Sequence, residues 1–287
     1  MTVETGEPLL LPDGTATFVR DWEPAGGVAR RGSILLVHGL GEHCGRYEHV
    51  AARLAALGLQ VRGYDLRGHG RSAGARGAIP YDDALLDDLR FVFADLARAA
   101  GDSGAPLLLG HSAGGAIAAA ATIRGLVAPR ALILSSPALR LHLRGPRALA
   151  LNLARRVIPD RPLPNDLPLE QLSHEAAVVA AYRADELVHD RITPRLYGFL
   201  ADAGAAARRD AGRLAVPTLL LVAGDDALVD ARGSRELAAG LAPGVGEPHF
   251  YDDLRHEVFN EREPDRTGVL DDLCAWIERR LSDPAPA

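Results

Sequence analysis

The chain has 287 residues, 47% of them hydrophobic, and a formal net charge of −6. That is ample apolar material for a large core, and the acidic balance argues against nucleic acid as a partner, which calls for a basic stripe. All 32 basic residues are Arg, which excludes Schiff-base and P-loop lysine chemistry.

The opening MTVETGEPLLLPDG has neither a basic n-region nor a long apolar run, so it does not read as a secretory signal and a cytoplasmic protein is expected. Residues 8–24, PLLLPDGTATFVRDWEP, combine a Pro-Asp-Gly turn with the alternating run TATFVRDW and predict an antiparallel strand pair at a sheet edge. Short apolar runs follow at 34–38, 59–65, 106–110, 131–136, 218–224 and 248–252, the pattern of strands buried on both faces. Between them, residues 47–58, 82–100, 113–125 and 234–242 carry apolar residues at helical spacing. The stretch SGAPLLLGHSAGGAIAAAATI lacks Asp, Glu and Arg and is long enough to span a membrane. Its Pro, four Gly and His-Ser pair read instead as strand, sharp turn and helix.

Alternating strand and helix predicts an α/β fold, a mostly parallel sheet with helices on both faces. From Pro137 to about Ala211 the strand signal stops, and seven prolines accompany helical pieces such as ALALNLARRVI. A segment this long is a cap rather than a loop. The expected organisation is a core of 1–136 and 212–287 with a helical cap, or lid, of 137–211 inserted between two core strands. The DPAPA tail is expected to fray.

Gly110-His111-Ser112-Ala113-Gly114 fits G-x-S-x-G, the strand-to-helix turn that presents a serine hydroxyl. Gly70-Arg71-Ser72-Ala73-Gly74 fits it too. Context separates them, because Ser112 follows PLLLG and opens an Ala-rich helix whereas Ser72 adjoins no strand. Ser112 is the nucleophile candidate and Ser72 a turn residue. A serine needs a general base, and the base needs a carboxylate to fix its tautomer, in the order Ser, acid, His for this architecture. His256, in the loop after PHFYD, is the better base, since His249 lies within that strand. TLLLVAGDDALVD offers Asp225, Asp226 and Asp230 beyond a buried strand, where ligand-facing residues of parallel sheets lie. Asp230 reads best as a helix cap, and spacing leaves Asp225 and Asp226 both open.

Taken together, HGLGEHCGRYEH, GYDLRGHGRSAGARG, GHSAGG, VAGDDALVD and RHEVFNE resemble the α/β-hydrolase fold and, within it, the monoglyceride lipase and lysophospholipase group of serine hydrolases. The resemblance spans nearly the whole chain. It implies Ser112 as nucleophile, Asp226 as acid and His256 as base, with a fatty or other apolar acyl ester, most naturally a monoacylglycerol or lysophospholipid, as the small-molecule substrate. It implies no metal or organic cofactor. Such a mechanism needs oxyanion donors: the N–H of Ala113, after the nucleophile, and a second from an earlier loop, for which Leu40 between Gly39 and Gly41 is the candidate.

Other readings are weaker. A dinucleotide loop needs a third glycine where Cys44 stands. His38, His43, Cys44 and His49 match no zinc spacing. Cys44 and Cys274 form no C-x-x-C pattern and are expected as reduced thiols. Asp65 and His69 read as loop residues. The cap arginines Arg140, Arg144, Arg147, Arg155, Arg156 and Arg161 suit solvated helix faces, or else a transient contact with a membrane surface. Acyl transfer, a small-peptide aminopeptidase on the same triad and a non-catalytic ligand receptor are the alternatives to ester hydrolysis.

Overall fold

In the computed structural model, residues 2–4, 8–24, 26–101, 104–142 and 146–282 are described. Two antiparallel pairs open the chain. β1 (Thr2–Glu4) pairs with β4 (Val19–Trp22), and β2 (Leu9–Leu10) with β3 (Ala16–Thr17). The turn and alternating run at 8–24 therefore do not form one pair at the main sheet. β2 and β3 make a sheet of their own, and only β4 joins the main one. The break falls at Phe18, whose N–H donates to Ser72 Oγ and whose carbonyl accepts from Asp65 N. Ser72 Oγ also donates to the Asp65 carbonyl at 2.6 Å, so Ser72 is a buried latch between segments.

The remaining strands of the main sheet are β5 (Gly32–Val37), β6 (Leu59–Tyr64), β7 (Leu107–His111), β8 (Leu132–Ser135), β11 (Thr218–Ala223) and β12 (Gly246–Tyr251). The order is β1-β4-β6-β5-β7-β8-β11-β12, with β4 antiparallel and the six from β6 to β12 parallel. Period-two alternation splits each strand between two cores. Leu35, Val37, Leu108, Leu134 and Val222 enter one cluster, while Ile34, Leu36, Leu109, Ile133 and Leu221 enter the other. Both faces are covered, which is why these strands read as continuous apolar runs. On the first face lie α2 (Ala84–Ala100) and α3 (Ala113–Ile123), and on the second α1 (Glu48–Ala56) and α8 (Asp265–Ser282). α7 (Arg232–Gly240) follows β11.

Between β8 and β11 come α4 (Pro146–Val157), α5 (Ala176–Ala184) and α6 (Pro194–Arg209), with the short pair β9 (Leu163–Pro164) and β10 (Arg191–Ile192). α6 is held by its sequence. Thr193 caps it by accepting from Leu196 N, Pro194 fits the first turn, and Leu196, Phe199, Leu200 and Ala203 form a buried stripe against α3. That stripe belongs to the same cluster as the sheet face.

Candidate active site

β7 ends in His111 and α3 starts at Ala113, leaving Ser112 alone to make the turn with φ 52 and ψ −118. A non-glycine residue there is strained and is retained only where its surroundings over-determine it. Those surroundings are tight. A Cβ on Gly110 would run into the backbone of Gly114, and one on Gly114 into that of Val37 and His38. Ala113 is the first helical residue, so its N–H has no partner within α3.

His256 Nε2 lies 2.9 Å from Ser112 Oγ, and His256 Nδ1 lies 2.7 Å from Asp226 Oδ2. The other carboxylate oxygen, Asp226 Oδ1, accepts from the N–H groups of Leu228 and Val229 at 2.8 and 2.9 Å. The structure thus brings Ser112, His256 and Asp226 into one hydrogen-bonded line. Asp225 is exposed beside it, anchored by its backbone N–H on Leu254 O. Asp230 is occupied by Arg232, accepting from its N–H and its guanidinium at the start of α7. His249 sits on β12 between Asp272 and Glu247, away from Ser112. Burial disfavours charge on His256, yet the Asp226 carboxylate, by charge and by hydrogen bond, and then Glu257 and Glu42, raise its pKa above the usual imidazole range. The ring of His111 lies 4.9 Å from that of His256, with its Nδ1 3.0 Å from Ser135 Oγ. Burial, then the neighbouring His256, lowers the His111 pKa to about 4, so His111 stays neutral.

Leu40 and Ala113 line the same cavity as Ser112. It measures about 70 Å³, and its remaining walls are mostly apolar, with Leu141, Leu167, Leu172 and Leu200 contributed from between β8 and β11. The loop bearing Leu40 is fixed from both sides. Gly39 N–H donates to Glu42 Oε1 at 2.6 Å, and a Cβ on Gly39 would lie 3.2 Å from Ser112 Cβ. His38 Nε2 accepts from Leu66 N, which leaves Nδ1 to donate to Gly39 O.

The residues weighed as metal ligands part company. His43 meets Asp185, His49 meets Phe259 O, and Cys44 is buried with its N–H on Asp65. Among the described residues no group of three His, Cys, Asp or Glu is placed to hold a metal ion. His69 is buried between the rings of His38 and His189. Of the arginines expected in a cap, Arg140 pairs with Asp230 and Glu236, and Arg155 with Asp82 and Asp202. Arg156 and Arg161 are exposed. Arg144 and the side chain of Arg147 lie outside the described residues, as does the DPAPA tail.

A family model described as serine aminopeptidase S33 matches residues 29–263. The chain belongs to this Hydrolase_4 family. The Hydrolase_4 chain is 36% identical over 257 residues to a monoacylglycerol lipase of Mycolicibacterium smegmatis, covering 88% of this chain and 89% of that protein. It is 30% identical to the phospholipase YtpA of Bacillus subtilis, covering 86% and 95% of the two chains. The crystal structure of a Paleococcus ferrophilus monoacylglycerol lipase superposes with a TM-score of 0.83 at 28% identity, covering 92% and 99%. The expected α/β-hydrolase fold and serine-hydrolase membership therefore stand.

What the sequence reading of this Hydrolase_4 member missed is a set of buried charges behind the site. Arg46 donates to Glu42 Oε2 at 2.6 Å and, as a two-pronged fork, to both oxygens of Glu257 at 2.7 Å. Tyr47 Oη donates to Glu42 Oε1 at 2.6 Å. The placement of these charges gave no sign of burial: Glu42 and Arg46 stand four apart directly after the glycine loop, as on a solvated helix face, and Glu257 directly after His256.

Proposed function

We propose that the protein is a serine ester hydrolase of monoacylglycerols, with Ser112 as nucleophile, His256 as general base and then general acid, and Asp226 as the carboxylate that orients and stabilises the imidazolium. The observation that carries this reading is the continuous line from Asp226 through His256 to Ser112, with both links under 3 Å. Ser112 Oγ attacks the ester carbonyl as its proton passes to His256 Nε2. The Leu40 and Ala113 N–H groups hold the oxyanion, His256 returns the proton to the leaving alkoxide, and water releases the acid by the same relay.

The lining chemistry favours a neutral head group over a lysophospholipid. Among the described residues no arginine side chain lines the cavity to meet a phosphate. An aminopeptidase, the activity in the family description, needs a carboxylate free to meet an α-ammonium. Among the described residues the carboxylates lining the cavity are Glu42 and Glu257, and Arg46 engages both.

Residues 137–211 serve in this reading as a lid over the cavity. At about 70 Å³ the cavity is well below the roughly 300 Å³ at which ligand pockets begin, so the lid must shift to admit an acyl chain. Leu153, Val157 and Ile158 are exposed at the end of α4 beside Arg156 and Arg161, which supports transient contact of the lid with a membrane surface. No helix among the described residues is long and apolar enough to cross a membrane. A cytoplasmic location suits two buried, unpaired cysteines.

Ser112→Ala is the test. Hydrolysis of a monoacylglycerol and labelling by a fluorophosphonate should both disappear, with kcat lower by at least roughly 10⁴-fold. Undiminished hydrolysis in the pure variant would overturn the assignment.

A further inference from the structure

Two carboxylates share one guanidinium directly behind the proposed active site. The side chains of Arg46, Glu42 and Glu257 are only 10%, 4% and 5% exposed, so this is no solvated surface pair. One terminal nitrogen of Arg46 reaches both carboxylates, and the other completes the fork on Glu257. A lysine ammonium offers a compact point charge and cannot reproduce that planar geometry. The three residues leave one surplus negative charge in a buried place.

Each carboxylate also reaches a moving part of the chemistry. Glu42 accepts the Gly39 N–H, in the turn that carries Leu40. Glu257 follows His256 in sequence, and its own N–H donates to Leu172 O in the proposed lid. Arg46 lies 4.6 Å from the centroid of the Tyr182 ring on α5. Glu42, Glu257, Tyr182, Leu172 and His256 all line the cavity.

We propose that Glu42, Arg46 and Glu257 form a positioning device for this reaction. The Arg46 fork locks the Leu40 turn to the His256 loop, and the surplus buried charge supports the imidazolium that His256 becomes in the transition state. The groups acting on His256 include Asp226 after β11, Glu257 beside it, Glu42 after β5 and the His111 ring on β7; beyond them, Arg46 and Tyr47 bond to Glu42, Tyr182 on α5 lies against Arg46, His142 meets the Asp226 carbonyl, and Arg255 is turned to the carbonyls of Glu170 and Ser173. Of these, Asp226, Glu257 and Glu42 each favour the charged imidazole. His111 remains neutral and does not compete for the proton.

The inference rests on Ser112, Asp226 and His256 being the catalytic groups. Two variants separate its parts, each assayed per active site counted by fluorophosphonate labelling. Glu257→Gln removes the surplus charge while keeping the shape and one oxygen that still accepts from Arg46. Its per-site kcat should fall, with KM little changed, and the acid limb of kcat/KM should move to lower pH, because an anion that favoured protonated His256 is gone. Arg46→Lys keeps the charge and loses the fork. Its acid limb should stay near that of the wild type while per-site kcat falls, by up to on the order of 100-fold if the loops separate by an ångström. A purely structural role would lower the melting temperature and the count of labelled sites while leaving per-site kcat and the pH limb at wild-type values in both variants, and that result overturns the proposal. A wild-type protein that fails to label, or an active Ser112→Ala, would instead overturn the catalytic reading beneath it.

Discussion

Replacing Gly114 by Ala sets two effects of opposite sign against each other. In a helix interior alanine is favoured over glycine by about 1 kcal/mol, so propensity alone predicts a more stable protein. Packing predicts the reverse. The new Cβ would fall 2.5 Å from His38 O and closer still to Val37 O. Both obstacles are backbone, at the end of β5 where the chain enters the Gly39 turn, and neither can swing aside as a side chain would. Relief requires roughly 1 Å of movement between α3 and β5, at a typical overpacking cost of about 1–3 kcal/mol. The balance runs from about zero to a net loss of about 2 kcal/mol, or up to roughly 4 °C in Tm for a chain of this size. The same movement draws Ser112 and the Ala113 N–H away from Leu40, and a displacement of this size costs on the order of 100-fold in kcat. Gly268→Ala is the matched control, since Gly268 is exposed on α8 with nothing within 4 Å of its would-be Cβ. It should gain about 0.5–1 kcal/mol with kcat unchanged. Thermal melting and active-site-titrated kcat on the pair decide the matter. A Gly114→Ala protein that melts as high as Gly268→Ala and turns over at the wild-type rate refutes the reasoning.

In the proposed mechanism the His256 imidazole must be neutral to act as base, and its pKa is raised. The acid limb of kcat/KM should therefore have its midpoint above 6.5, the ordinary value, with activity lost as pH falls through it; a midpoint at or below 6.5 contradicts the proposed surroundings of His256. His111 acts on stability with the sign set by its lowered pKa. It stays neutral in the folded state down to about 4 but takes a proton near 6.5 once unfolded, so its contribution is complete above 6.5 and is lost as pH falls toward 4. Between pH 7 and pH 5 that amounts to about 2 kcal/mol, and urea unfolding of His111→Asn should show a correspondingly shallower acid slope than the wild type. Leu153→Asp combined with Val157→Asp should weaken sedimentation with anionic phospholipid vesicles while leaving turnover of a soluble short-chain ester unchanged. Equal vesicle binding would remove α4 from the membrane contact.

The parallel strands were legible because burial on both faces writes itself into sequence as unbroken apolar runs, from ILLV in β5 to TLLLVA in β11. α8 was not among the expected helices although Val269, Leu273, Trp276 and Ile277 are buried at helical spacing, because charged residues interrupt that stripe in almost every turn. Ser112 and His256 could be singled out from their places after strands, but the choice between Asp225 and Asp226 could not be made from spacing. Adjacent residues in one turn face different ways, and only the fold shows which carboxylate is covered by Leu228 and Val229 and meets His256.

The Arg46 cluster was illegible for a stronger reason. Glu and Arg four apart is a common pattern of a solvated helix face, and in sequence nothing distinguishes such a pair from a buried one. The distinction is made by Glu257, 211 positions from Arg46, whose arrival turns a local pair into a bridge between two loops. Truncating Arg46 would leave two buried carboxylates uncompensated, and truncating Glu257 would leave a void beside the guanidinium. For that reason the isosteric Glu257→Gln and the charge-preserving Arg46→Lys, rather than alanine, are the substitutions that can separate what these charges contribute to the reaction from what they contribute to folding.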